Sequence, residues 1–113
     1  LDLGLFARGI GALAGTVAGA AGFLTCKAYA YCQGGLTATG TTARQGAIAV
    51  DPSVIPLGSE LFIIASDGSV VYGYATAEDT GGNIKGHTVD LFYNNNSLCR
   101  SFGRRNVTIY VLN

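Results

Sequence analysis

SELFIIASDGSVVYGYATA, residues 59–77, is the stretch on which the fold turns. Two apolar runs rich in β-branched and aromatic residues, SELFIIA (59–65) and SVVYGYATA (69–77), flank Asp67-Gly68. Such a dipeptide between two strand-like runs is a hairpin signal, because glycine reaches positive φ without steric cost. The same texture continues outward in both directions. CKAYAYC (26–32) alternates, and GAIAV (46–50), HTVDLFY (87–93) and NVTIYVL (106–112) are further short strand candidates. Pro52 and Pro56 bracket a loop, where the missing N–H donors do no harm. NNNSLCRSFG (94–103) predicts one short helix, opened by an Asn cap and stopped at Gly103. Six short strands and one small helix predict an all-β fold, a compact closed barrel.

The first 25 residues read differently. LDLGLFARGIGALAGTVAGAAGFLT is charged only at Asp2 and Arg8. Leu3, Phe6, Ile10, Leu13, Val17, Ala20 and Leu24 recur at three- and four-residue steps and predict one apolar face of a helix. Gly11, Gly15 and Gly19 would leave a flat strip along it for close helix packing. Three readings stay open for residues 1–25: a helix packed on its own domain or on a second copy, an export or anchor segment, and a membrane-active peptide. With Leu rather than Met at position 1, the chain reads as processed or trimmed. The expected division is therefore 1–25, a hydrophobic segment, and 26–113, one β domain.

Composition narrows the function classes. Seven basic and seven acidic residues give a net charge of zero. Phosphate binding needs a basic surplus, so no nucleic-acid partner is expected. Arg100, Arg104 and Arg105 are the one basic cluster, ordinary as solvated ends of a short helix. Three cysteines cannot all pair within one chain. On one strand, Cys26 and Cys32 would lie roughly 20 Å apart, too far to bridge. Either of them could pair with Cys99 in an exported protein, or all three could be idle thiols. Cysteine catalysis would have to use the single histidine, His87, as base, and no CxxC-type spacing suggests zinc. No metal and no cofactor are expected. The sequons at Asn95 and Asn106 matter only in a eukaryotic secreted protein.

The aspartates carry the chemistry. Asp51 precedes Pro52 and reads first as a turn residue. Asp79 opens DTGG, where Gly81 and Gly82 would expose backbone N–H groups in a tight turn. In HTVDLFY, Val89, Leu91 and Tyr93 share one face, so Asp90 points the other way with Thr88 and Phe92. A carboxylate inside a strand disfavours pairing unless its face is solvated or used. Lys85, in the glycine-flanked loop between Asp79 and Asp90, is placed to meet a ligand or is a plain surface lysine.

AYAY (28–31), TATGTTARQGAIAVDPSVIPLGSELFI (37–63), AEDTGGNIKGHTVDLFY (77–93) and FGRRNVTIYVL (102–112) together resemble the three-aspartate (3D) domain of lytic transglycosylase A and of bacterial stationary-phase survival proteins. The likeness covers about residues 26–113, and the named aspartates correspond to Asp51, Asp79 and Asp90. It implies a six-stranded double-psi β-barrel outside the cytoplasmic membrane, secreted or in the cell envelope. It also implies cleavage of the β-1,4 bond between N-acetylmuramic acid and N-acetylglucosamine in peptidoglycan glycan strands, leaving a 1,6-anhydro end. Ordinary glycosidases use a second carboxylate to activate water or to attack the sugar. The resemblance implies instead that the substrate's own 6-hydroxyl is the nucleophile, so that one residue can serve as acid and then base; by its match, Asp90. Asp79 and Asp51 would raise its pKa by like-charge repulsion. Thr39, Gly40, Gly81, Gly82 and Lys85 are the expected sugar contacts. The alternative is a carbohydrate-binding double-psi barrel without activity. Membrane association or a homo-oligomer through residues 1–25 is the further partner expectation.

Overall fold

In β3, Glu60–Ala65, every residue after the first is buried, so the strand must be covered on both sides. Leu61 and Ile63 face the interior of a closed barrel, while Phe62 and Ile64 join Tyr110 in a second cluster against which Ala20 and Leu112 pack. This is a computed structural model, and it describes Ala20 and residues 22–112. The other strands are β1 (Gly22–Tyr31), β2 (Ala47–Ala49), β4 (Val71–Asp79), β5 (Thr88–Phe92) and β6 (Arg104–Val111), with helix α1 (Asn96–Phe102) between the last two. Around the barrel the order is β1-β5-β2-β4-β3-β6, closing on β1. The β1/β5 and β2/β4 pairs are parallel and the rest antiparallel. Among the described residues each strand has a neighbour on both sides.

Alternation fills the interior. Cys26 and Ala28 from β1, Ile48 from β2, Ala75 and Ala77 from β4, Val89 and Leu91 from β5, and Val107 and Ile109 from β6 form one core. The small residues of β1 and β4 share this core with the branched ones of β2, β5 and β6. The Asp67-Gly68 hairpin forms as expected. Ala65 accepts from Gly68 N at 2.8 Å and donates to Val70 O at 2.8 Å, while Asp67 Oδ1 accepts from Ser69 N at 2.9 Å. Pairing of β3 with β4 then slips between Ile63 and Ile64, opposite Gly73 at φ 104°, a left-handed conformation that glycine adopts freely. Helix α1 is bounded as its sequence predicts. Asn95 Oδ1 accepts from Leu98 N at 2.9 Å, and Gly103 N donates to Cys99 O at 3.2 Å.

The expected start of the barrel at residue 26 is corrected. Strand β1 begins at Gly22, and residues 22–25, expected to end a helix, are extended. Gly22 through Tyr29 pair antiparallel with β6 from Val111 back to Arg104. That long-range ladder satisfies backbone groups that local helix periodicity would have paired within the segment. Residues 1–19 and 21, on which the rest of the helix expectation and its Gly11, Gly15 and Gly19 strip fall, lie outside the described residues. Among the described residues, no helix is long and apolar enough to cross a membrane.

Candidate functional site

Strand register assembles the site. Asp90 on β5 lies opposite Tyr29 on β1 and opposite Ala49 on β2, and Ala49 lies opposite Asp79 on β4. Across four adjacent strands the order is therefore Asp79, Ala49, Asp90, Tyr29. Ile48 and Val50 turn inward, so Ala49 faces out, and the side chains of this row share the barrel's outer face. Pairing of β2 with β4 slips between Ile48 and Ala49, from Ala77 directly to Asp79. The extra residue is Glu78, and this bulge re-aims Asp79 outward beside Ala49. At the usual strand spacing the two aspartates have Cα atoms roughly 10 Å apart, with only a methyl group between them.

Asp90 is half-buried, and burial raises its carboxyl pKa above the usual carboxylate value. The expected cause was repulsion from Asp79 and Asp51; desolvation replaces it. Asp90 opens on a cleft of about 440 Å³ with Tyr29, Asn83, Ile84 and Thr88. A second cleft of about 550 Å³ is lined by Val50, Pro52, Thr80, Gly81, Gly82, Ile84 and Lys85. Ile84 belongs to both and stands between them. A Cβ on Gly81 would come 3.0 Å from Ile84 Cγ1, so glycine there lets the Ile84 wall stand where it does.

Asp51 faces neither cleft wall; it is a tie. Its Oδ2 accepts from Gly86 N at 2.7 Å, and its Oδ1 accepts from Ser53 N at 3.0 Å and Ser53 Oγ at 2.8 Å. The Gly86 N–H above all, then the two Ser53 donors, with a smaller contribution from the Lys85 charge, hold its carboxyl down at about 2. Asp51 thus fastens the 80–86 loop, and with it Ile84, to the turn after β2. Asp79 also binds backbone: its Oδ1 accepts from Ala38 N and Thr80 N, each at 2.9 Å. Thr39 N donates to Glu78 O at 3.1 Å. The loop bearing Thr39 and Gly40 therefore sits on Asp79, while neither residue lines the two clefts.

Sequence reasoning missed Tyr29 and Asn83 as cleft residues, Ala49 as the spacer between Asp79 and Asp90, and a polar clamp beneath the loop. Glu78 is 6% exposed and takes both arms of Arg44, Nη1 to Oε1 at 2.8 Å and Nη2 to Oε2 at 2.5 Å. Thr41 Oγ1 also donates to Glu78 Oε1 and is bonded in turn to Thr37 Oγ1 at 2.7 Å. The Arg44 hydrogen bonds, ahead of other effects, lower the Glu78 pKa. Alternation in AYAY would have put Tyr29 and Tyr31 on one face; nothing local marks Ala49 or pairs Arg44 with Glu78.

Tyr31, one pleat beyond Tyr29, has a buried hydroxyl without a hydrogen-bond partner. Its ring meets Phe92 edge-on at 5.3 Å, and burial first, then the charges of Asp79 and Asp90, push its pKa up to about 12. Tyr72, by contrast, accepts from Gly46 N and donates to Phe92 O. Leaving a buried hydroxyl unpaired costs about 1–3 kcal/mol. Tyr31→Phe should therefore leave Tm unchanged or raise it by a few degrees; a fall of more than about 5 °C in thermal melts would show the hydroxyl to be engaged.

The 3D domain family model matches residues 46–113. "Cell wall-binding protein YocH" of Bacillus subtilis is 42% identical over 97 residues, 80% of this chain and 32% of its own length. "Putative cell wall shaping protein YabE" of the same organism is 41% identical over 99 residues, 80% of this chain and 23% of its own. The chain thus spans about a third or less of these curated relatives. Among solved structures, the lytic transglycosylase LtgG of Burkholderia pseudomallei superposes with a TM-score of 0.57 at 26% identity, covering 72% of this chain and 27% of that one. MltA from E. coli gives a TM-score of 0.58 at 23% identity, over 67% of this chain and 26% of that one, a likeness of fold.

Proposed function

This chain belongs to the 3D domain family, and from that premise we propose that it is a peptidoglycan lytic transglycosylase acting at the cell envelope, with Asp90 as its single acid and base. The observation that carries the reading is the position of Asp90: a desolvated carboxyl on the outer face of the barrel, opening on a cleft wide enough for sugar rings. Likeness to LtgG, named a lytic transglycosylase, supports it. The two parallel strand pairs fit the double-psi connectivity that the family implies.

The chemistry needs a carboxyl that keeps its proton until substrate is bound. Burial shifts Asp90 in the direction that favours the proton, which is the direction an acid catalyst needs. Asp90 donates its proton to the glycosidic oxygen as the bond from C1 of the N-acetylmuramic acid breaks. The C6 hydroxyl of the same sugar then attacks C1, and the Asp90 carboxylate takes that hydroxyl's proton, restoring the acid. No water is consumed. Tethering the nucleophile to its target replaces an encounter with an intramolecular step. The Tyr29 ring beside Asp90 offers an apolar face for a sugar, and Asn83 a donor and an acceptor. Gly81, Gly82 and Lys85 would hold the glycan on the far side of Ile84, and Thr39 and Gly40 would meet it above Asp79. Asp79 and Asp51 are assigned to shaping the site through the backbone groups they bind.

YocH is named a cell wall-binding protein and YabE a putative cell wall shaping protein, which favours a second reading: a module that binds glycan without cutting it. Digestion of purified peptidoglycan followed by mass spectrometry separates the two. Transglycosylation should release muropeptides with 1,6-anhydro ends, about 18 Da lighter than hydrolytic products because no water is added. Reducing-end muramic acid as the main product would mean hydrolysis. Sedimentation of the protein with intact sacculi, with no soluble muropeptide released, would favour the binding module.

A further inference from the structure

The three thiols differ in their surroundings. Cys26 is 2% exposed inside the barrel, and burial pushes its thiol up to about 11. Cys32, one residue beyond β1, and Cys99, in α1, are both partly exposed and free. Asn96 and Cys99 stand three positions apart in α1, on one face of the helix. Cys32 Sγ donates to Asn96 Oδ1 at 2.6 Å, and Asn96 is the first residue of α1, so the Cys32 thiol lies against that face, beside Cys99. The helix itself is held. Asn95 caps it, Phe102 at its end is buried beside Tyr93, and Arg105 lies over the Phe102 ring while donating to Phe102 O.

We propose that Cys32 and Cys99 are a disulfide-forming pair that cross-links the end of β1 to α1 when the protein meets an oxidising compartment. Two thiols set beside one helix face need only a short closing movement to reach the S–S bond length of about 2.05 Å, and both are partly exposed, where a small oxidant can reach them. The oxidant is a small-molecule disulfide such as glutathione disulfide. The Cys32 thiolate attacks one of its sulfurs, expels one glutathione thiolate and forms a mixed disulfide. Cys99, whose thiol burial keeps protonated to higher pH, then attacks the Cys32 sulfur and expels the second glutathione thiolate. The two protons lost by the cysteines end on the two glutathione thiols, so one disulfide is exchanged for another. Only the compartment, outside the membrane where such bonds persist, rests on the proposed function; the pairing does not.

Cys32 precedes the loop that carries Thr39 and Gly40, so the cross-link would fix the base of that loop. It would also close a ring of about 70 residues, a length at which cross-links strongly restrict the unfolded chain. The full chain, equilibrated with glutathione disulfide and then denatured and alkylated without reductant, should show a peptide linking Cys32 to Cys99, with Cys26 alkylated. Its Tm should rise by about 10 °C or more on oxidation, and this rise should be absent in Cys99→Ser. Alkylation of all three cysteines after oxidation, or a bridge involving Cys26, would overturn the pairing. Neither outcome bears on cleavage of peptidoglycan, which is read separately by product analysis.

Discussion

Asp90→Asn should abolish release of anhydromuropeptides while leaving the barrel folded. Asparagine is nearly isosteric with aspartate, but its amide neither donates an acid proton nor accepts one as a base. General acid/base catalysis accounts for roughly 10² to 10⁴ in rate, and here one group performs both halves. The stability side has a definite sign. Desolvation raises the Asp90 pKa in the folded state. Relative to the unfolded chain its proton therefore favours folding at low pH, and that contribution is lost as pH rises through the folded value. Asn has no charged form to desolvate, so the variant should melt at the same temperature or higher. Turnover should follow an alkaline limb set by the raised carboxyl, rising as pH falls toward its pKa. Measured activity above about a tenth of wild type, with an unchanged melt, would remove Asp90 from the acid role. Because burial and not repulsion raises its pKa, Asp79→Asn should leave that limb in place and act through the loop that Asp79 holds.

Arg44→Ala should destabilise the fold by about 1–3 kcal/mol, because it strands the buried Glu78 carboxylate. The guanidinium side chain is 54% exposed and its charge partly screened, so the lower half of that range is expected. In a domain this size the change corresponds to a fall in Tm of roughly 4–12 °C. Arg44 lowers the Glu78 pKa below its ordinary 4.5. A depressed carboxyl stabilises the fold above its unfolded value, and the contribution disappears as pH falls through the folded one. The gap in Tm between wild type and Arg44→Ala should accordingly be full at neutral pH and shrink as pH falls below 4.5 toward the lowered folded value. Equal melts at neutral pH, or a gap that persists in acid, would show that the ion pair contributes nothing.

What was legible in the chain was local. Asp67-Gly68 announced the hairpin, Asn95 and Gly103 bounded α1, and the alternation of HTVDLFY turned Asp90 away from Val89 and Leu91, as the barrel does. What was missed depends on pairing over distance. Gly22–Thr25 lies in a Gly- and Ala-rich run whose spacing reads as helix, and only the ladder to β6 makes it strand. The bulge at Glu78 exists only relative to β2, so the sequence cannot say that Asp79 faces outward beside Ala49. Arg44 and Glu78 are 34 residues apart and meet because β2 and β4 run parallel. Asp51 was expected to act by charge at a distance; its carboxylate is instead turned to Gly86 and Ser53, a local geometry that a strand pattern does not encode.

The seam between β1 and β6 joins the first described strand to the last. A chain emerging from the ribosome cannot close this barrel until residues 104–111 have appeared, and until then β1 and β3 both lack a neighbour. Val107 and Ile109 are also missing from the core over that interval. Most of the loop-closure entropy must be overcome before that seam returns any free energy, which makes folding slow and nearly all-or-none. Nascent chains stalled before Arg104 should be digested readily by protease, and resistance should appear in a single step once β6 is free to dock.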